Sequence, residues 1–255
     1  MTLQTTGTPA AKLNNRVAEL KKLWEKRKMA QHGWYRMIQL YNDLEQDGME
    51  SVIGNDPRTS YNMAKHLLKP NKWRFNSDKT GMLDEEIQAA EIIDLMVTRE
   101  VRVVRDSYRG RMTGDFFERM SGLFLTSGWC CLTMVPTHPR WTISAWNPTS
   151  VYPNYDQDGI LVEIARQYTV SKEAAVSLIV QNGWLTPEFP FDKSTVTVSM
   201  LWIQVPFEGA YMGVTLDNNL VRPLGPTPFP VIPIYMTPAG GLPDDGTLVD
   251  GTWRA

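Results

Sequence analysis

Four arginines, Arg99, Arg102, Arg105 and Arg109, recur at steps of three, three and four. On a helix they fall on one broad side, where guanidinium groups can hold phosphate oxygens without reading bases. Binding of that kind weakens as salt rises. The same arginines would also complement the negative end of a helix dipole, or form ion pairs between chains with Glu85, Glu86 or Asp94. A second basic group runs through Lys12, Arg16, Lys21, Lys22, Lys26, Arg27 and Lys28, against Glu19 and Glu25. Its dense part, Lys21, Lys22, Lys26, Arg27 and Lys28, reads either as a contact surface for a partner or for DNA, or as a solvated helix face.

The acidic residues point to less. Asn154, Asp156, Asp158 and Gly159 occupy positions one, three, five and six of a calcium loop, but position twelve is Ala165 where a bidentate Glu belongs. A turn through Asp158-Gly159 ahead of a strand explains the string more simply. Asp156, Asp158 and Glu163 are also the residues a magnesium-dependent nuclease would use here, which is one alternative reading. Asp244 and Asp245 lie in a Gly/Pro-rich stretch typical of solvated turns. His32, His66 and His138 stand apart from any metal-ligand spacing. The chain carries no G-x-x-x-x-G-K-[ST], H-E-x-x-H, C-x-x-C or G-x-S-x-G. No metal, cofactor or catalytic residue is implied, and the expectation is a protein that is not an enzyme.

The elements that must carry these residues follow from apolar periodicity. Leu13, Val17, Leu20 and Trp24 recur at four, three and four, which predicts a helix over Lys12–Lys28 behind an arm of residues 1–11. After Gly33, the residues Trp34, Met37, Tyr41 and Leu44 predict a second helix closed by Gly48. Pro57 can open a third, with Tyr61, Ala64, His66, Leu67 and Leu68 before Pro70 stops it. The longest runs from about Leu83 to Ser107, with Leu83, Ile87, Ala90, Val97, Val101 and Val104 on one face and Asp84, Glu85 and Glu86 in its first turn. A further helix starts near Thr113 and ends near Gly128.

Beyond Gly128 the character changes. Trp129–Val135, Trp141–Trp146, Ile160–Tyr168 and Thr195–Val205 read as strands rich in Val, Ile, Thr and Trp. One helix interrupts them, Lys172–Gln181, capped by Ser171 and closed by Gly183. Pro223, Pro226, Pro228, Pro230, Pro233 and Pro238 forbid a long helix in the last fifty residues. Helices first and strands afterwards predict an α+β fold: N-terminal helices over 12–127, then a mainly antiparallel β-rich region over 128–255 with one inserted helix.

Of 255 residues, 42% are apolar and 21% charged, with a formal net charge of -2. These are values of a folded protein, and any contact with nucleic acid must come from a local patch or from several copies together. Cys130 and Cys131 are neighbours about 3.8 Å apart at Cα, too close for ordinary disulfide geometry. They read as small hydrophobes of a reduced chain. The polar opening MTLQTTGTPAAKLNN lacks the form of a leader. No run approaches the roughly 18 apolar residues of a membrane span. Nine Trp lean toward a protein that builds interfaces.

The stretch from Asn147 to Ile179 is the most specific. It sets an Asn147-Pro148 turn before the short strand Val151-Tyr152-Pro153, then an acidic turn, Asp156 to Gly159. The strand Ile160 to Gln167, the step Tyr168-Thr169-Val170-Ser171 and an Ala-containing helix from Glu173 follow. This order resembles a segment of tailed-bacteriophage portal proteins, the rings that join head to tail. The pieces around it are similar as well. They are Asn62 to Leu68, the helix-to-strand step from Gly114 through Ser127-Gly128-Trp129-Cys130-Cys131-Leu132, and the proline-flanked strand Pro228 to Tyr235. The resemblance covers roughly Tyr61 to Tyr235 and rests on the order of the pieces. The family's stem helices and clip commonly follow the matched region. No positions here match them, so no stem or clip role is carried over.

The resemblance implies a wing-like part of a portal subunit, in a ring of about twelve identical copies. Double-stranded DNA would pass through that ring during packaging and ejection. Implied partners are the major capsid and scaffolding proteins, the terminase motor and a tail adaptor. The implied location is the portal vertex of the virion, after assembly in the bacterial cytoplasm. The basic residues between Lys21 and Lys28 would then be candidates for capsid contact, and the arginine stripe for DNA phosphates. A head-completion or adaptor protein with a portal-like wing is the alternative within the same class.

Overall fold

The computed structural model describes residues 8–38, 56–68, 76–109, 115–137, 140–156, 158–187 and 194–238. Among them are six α-helices and antiparallel sheets, an α+β fold. The helices are α1 (Pro9–Leu23), α2 (Glu25–Ile38), α3 (Asp56–Leu67), α4 (Asp84–Arg109), α5 (Phe116–Ser127) and α6 (Lys172–Asn182). The strands are β1 (Trp129–Thr137), β2 (Arg140–Ala145), β3 (Val151–Tyr155), β4 (Leu161–Ser171), β5 (Thr195–Val205), β6 (Gly209–Leu216), β7 (Asn219–Pro226) and β8 (Ile234–Pro238).

The chain divides into two compact units that do not follow chain order. Among the described residues, the first joins 8–31 to those of 147–236, and the second takes those of 32–146 with 237–238. The expected boundary at 127/128 therefore falls inside the second unit. The first helix instead shares a unit with strands more than a hundred residues later.

In the first unit, β3 to β7 form one antiparallel sheet in sequence order. Its edges are β3 and β7, and both carry proline: Pro153 in β3, Pro223 and Pro226 in β7. Proline suits an edge, where a missing N–H breaks no interior ladder and discourages further pairing. α1 lies across all five strands. Thr8 caps it by accepting a hydrogen bond from Ala11 N at 3.4 Å, and Pro9 takes the first turn. The helix thus starts inside the expected arm, and Ala10 is already buried.

Leu13, Val17 and Leu20 face the sheet and are buried. Under Leu13 the sheet has Gly213: a Cβ there would stand 2.6 Å from Leu13 Cδ1 and 3.2 Å from Leu224 Cα. Asn14 fastens the helix to the β6–β7 turn. Its Nδ2 donates to Asp217 O at 3.0 Å, and its Oδ1 accepts from Thr215 Oγ1 at 2.5 Å. α6 packs on β4 and β5, with Ala175 and Ile179 buried. Ser171 and the left-handed Gly183 cap it as expected.

The second unit is built around α4, α5 and the β1–β2 hairpin. Its core joins Val101, Val104, Tyr108, Phe116, Phe117, Ile143 and Ala145. Tyr108 and Phe116 meet edge to face, with ring centroids 5.4 Å apart. Asp115 caps α5 through Phe117 N at 3.2 Å, and Gly128 closes that helix in the left-handed region at φ 68°. The sheet order here is β2-β1-β8, of which Thr237 and Pro238 belong to this unit. Cys130 is half-buried and Cys131 buried; they form no disulfide, and burial pushes the Cys130 thiol up from its ordinary value.

Three further details differ from the sequence expectation. The helix expected over Lys12–Lys28 is two helices, parted at Trp24. Gly33 lies inside α2 and opens nothing, because an isolated glycine costs a helix only about 1 kcal/mol. The stripe expected on α3 buries none of its side chains. Tyr41, Leu44, Gly48, Pro70, His138, Asp244 and Asp245 lie outside the described residues.

Candidate functional site

The basic N-terminal region is built on one stripe. Leu13, Val17, Leu20, Trp24, Arg27 and Gln31 follow each other at four, three, four, three and four, and every one is buried. The spacing carries the helical face through the break at Trp24. Trp24 Nε1 donates to Pro153 O at 2.7 Å. The Arg27 guanidinium sits 4.2 Å from the Trp24 ring centroid and donates through one nitrogen to Val151 O at 2.5 Å and Pro148 O at 3.2 Å.

Arg27, proposed from sequence as a surface contact, is thus only 6% exposed and serves the interior. It organises the turn that leads into β3, and the cation over the indole face adds favourable energy where water is excluded. The signal was present in the sequence: Arg27 continues the apolar spacing. Residue type hid it, since arginine is rarely buried unless it finds partners.

Arg16 makes a two-pronged bridge to Glu163, Nε to Oε1 at 2.9 Å and its NH2 nitrogen to Oε2 at 2.6 Å; its NH1 nitrogen reaches Glu19 at 2.7 Å. The hydrogen bonds to Glu163, foremost, raise the Arg16 pKa above its ordinary value. This fork fixes α1 over β4, and the geometry is the strongest that arginine and carboxylate make. Lys21 Nζ donates to Gln167 Oε1 at 2.8 Å. The exposed members of the proposed cluster are Lys22, Lys26 and Lys28, with Leu23 and Met29 exposed among them.

The acidic string folds as a turn. Asp156 Oδ1 accepts from Asp158 N at 3.0 Å and Ile160 N at 2.8 Å, with Gly159 at φ 74°. Glu163 is held by Arg16, so Asp156, Asp158 and Glu163 do not converge on one point. Among the described residues, no group of three His, Cys, Asp or Glu side chains is placed to hold a metal ion. His32 and His66 are exposed.

The arginine stripe separates by role. Each step of three turns the helix by about 300°, so each arginine falls about 60° behind the last. Arg99 and Arg102 are exposed, while Arg105 is rotated toward the core face of Val101, Val104 and Tyr108. Arg105 Nε donates to Asp115 Oδ2 at 2.9 Å, so it braces the α5 cap. The side chain of Arg109 lies outside the described residues. Arg105 is therefore not exposed alongside Arg99 and Arg102 as a third phosphate contact.

Sequence reading missed a groove beside α4. Ile93, Met96, Val97, Met134 and Ile143 line it, together with Glu100. The Oε2 of Glu100 is inaccessible to water and has no hydrogen-bond partner among the described residues. On α4, Ile92 and Leu95 are exposed, Leu95 at 71%; Leu83, just before the helix, is exposed too, although heptad spacing had placed it on the apolar face. The second half of α4 is buried as expected, at Val101 and Val104. The first half presents large apolar side chains on sides that heptad spacing did not select. No helix among the described residues is long and apolar enough to cross a membrane.

No protein-family model matches the chain, and no curated protein matches it.

Proposed function

We propose that this chain is a non-enzymatic component of a bacteriophage portal. It would be one subunit of a ring, at a single capsid vertex, through which double-stranded DNA enters and leaves. The observation that carries this reading is the order of pieces from Asn147 to Ile179.

Those pieces make one continuous run of structure. Asn147 Oδ1 caps a short 3-10 turn through Thr149 N at 3.1 Å. β3 pairs with β4 across the Asp156 turn, and Ser171 Oγ caps α6 through Ala174 N at 3.2 Å. The residues that carry the resemblance are the ones that set these turns and caps, so they have a physical reason to recur in that order.

A second support is the apolar surface of α4. A chain that leaves Ile92, Ile93, Leu95 and Met96 exposed on one helix is suited to burying them against another molecule. In this reading the partners are identical subunits, about twelve to a ring. Capsid and scaffolding proteins, the terminase motor and a tail adaptor would dock on that ring. The work is mechanical, and Arg99 and Arg102 are the candidates for loose contacts to DNA phosphates. Lys22, Lys26 and Lys28 are the exposed remainder of the proposed partner-contact cluster.

Mass measurement of the purified chain, with negative-stain images down the assembly axis, tests the proposal. The expected result is a closed ring with a central opening. Monomers across a wide concentration range would refute it. A ring that forms only on an added portal would replace it with the adaptor reading.

A further inference from the structure

Two faces of this chain are open to solvent and carry opposite charge. The first is on α4. From Asp84 to Thr98 the helix holds Asp84, Glu85, Glu86, Glu91 and Asp94 and no basic residue. Lys79 pairs with Glu91 at 2.9 Å, and Ser77 holds Asp94. The stretch remains acidic and shows Ile93 and Met96 at the rim of the groove. Glu100 lines that groove as well, and its Oε2 has no hydrogen-bond partner among the described residues. A carboxylate oxygen shut away from water needs a donor. An apolar groove with one carboxylate residue in its wall suits a cation on an apolar stem, which is the build of lysine.

The second face is at the α1–α2 junction. Lys22, Lys26 and Met29 follow at four and three, beside Leu23 and Lys28, and all five are exposed. Glu25 is the one acid between Lys22 and Met29. This face offers what the groove lacks: ammonium groups on long stems, with apolar side chains between them.

We propose that a second copy of this chain docks on α4, its Lys22–Lys26–Met29 face laid along the groove so that a lysine ammonium reaches Glu100. The two surfaces are different patches of one molecule, so the contact is head-to-tail. Such a contact repeats from copy to copy and closes into a ring when its rotation allows. The inference rests on the portal reading and supplies it with a specific subunit contact.

Charge reversal in the full chain tests it, read as the concentration for half-assembly by mass photometry at fixed moderate salt. K22E/K26E and E100K are each expected to raise that concentration at least about tenfold, because like charges would then face each other. All three changes in one chain are expected to restore it to within about threefold of the unaltered protein. E100Q keeps the side chain's shape and guards against misfolding. It is expected to weaken assembly while leaving the circular dichroism spectrum unchanged.

Assembly indifferent to both reversals would overturn the contact while leaving the ring reading intact. Sensitivity to E100K and E100Q alone, with K22E/K26E silent, would assign the groove to another partner and overturn it too. An unaltered chain that never assembles would sink the ring reading and this contact with it.

Discussion

α1 and α4 are both amphipathic helices, yet they meet opposite fates. α1 buries Leu13, Val17 and Leu20 on a five-stranded sheet and is pinned by Asn14, Arg16 and Lys21. α4 is longer, at 26 residues, but its large buried side chains, Val101, Val104 and Tyr108, all lie in its second half. Its first half keeps Ile92, Ile93, Leu95 and Met96 in solvent, and Ile93 and Met96 line a groove with Glu100. Hydrophobic spacing shows that a face will be covered, without showing by what. In α1 the cover is the same chain; for α4 we propose a neighbouring copy.

The contrast breaks most sharply under truncation. Leu20→Ala removes a fully buried side chain from the α1–sheet contact and is expected to cost about 2–5 kcal/mol in thermal or denaturant unfolding. Ile92→Ser, in the exposed half of α4, is expected to stay within about 0.5 kcal/mol on the same measurement while weakening association. Equal losses at the two positions would mean that both faces are covered within the chain.

The Arg16–Glu163 fork gives the next largest effect. Glu163→Gln leaves a partly buried guanidinium with only the exposed Glu19 as counter-charge, and chemical denaturation should show a loss of about 1–3 kcal/mol. Replacing both residues together by apolar ones of similar size should cost less than the single change.

The arginines of α4 sharpen the comparison within one helix. Arg105→Ala is expected to lower stability by about 1 kcal/mol, through loss of the hydrogen bond to Asp115. Arg99→Ala and Arg102→Ala should leave melting unchanged. On the portal reading, each should lower the salt slope of non-specific DNA binding by about one. A slope that moves for Arg105 but not for Arg99 or Arg102 would reverse the assignment.

The smallest effect is a pH response. Ser77 holds the Asp94 carboxylate through its hydroxyl at 2.6 Å and its N–H at 2.9 Å, and these bonds lower the Asp94 pKa below the usual carboxylate range. A depressed carboxylate favours the fold above its unfolded pKa, near 4, and that contribution is lost as pH falls through the folded value. Amide exchange at Ser77 should therefore quicken as pH drops below about 4, after correction for intrinsic rates. Protection that persists unchanged through that range would show that Asp94 is not the clasp.

Much of the local structure was legible in the residues. α4, the Gly128 stop, the Ser171 cap and the strands at β1, β2, β4 and β5 follow from periodicity and capping chemistry that act within a few residues. What was not legible is long-range. No local pattern says that Leu13 approaches Gly213, or that Arg16 will find Glu163. The candidate sites were readable only in part. The arginine stripe was visible as spacing, but the drift of about 60° per step placed Arg105 against Asp115. Arg27 was hidden by its type, although its place in the Leu20-Trp24-Arg27-Gln31 spacing marked it as interior. The Glu100 groove needs β1 and β2 to form its far wall, so no single segment announces it.

The most direct test is sedimentation velocity over a wide concentration range, for the unaltered chain beside Ile92→Asp/Leu95→Asp. If neighbouring copies cover α4, the unaltered chain passes from a slow species to one discrete, much faster closed species, while the double variant stays slow with an intact fold. A single slow boundary for both chains at every concentration, or equal assembly by both, would contradict it.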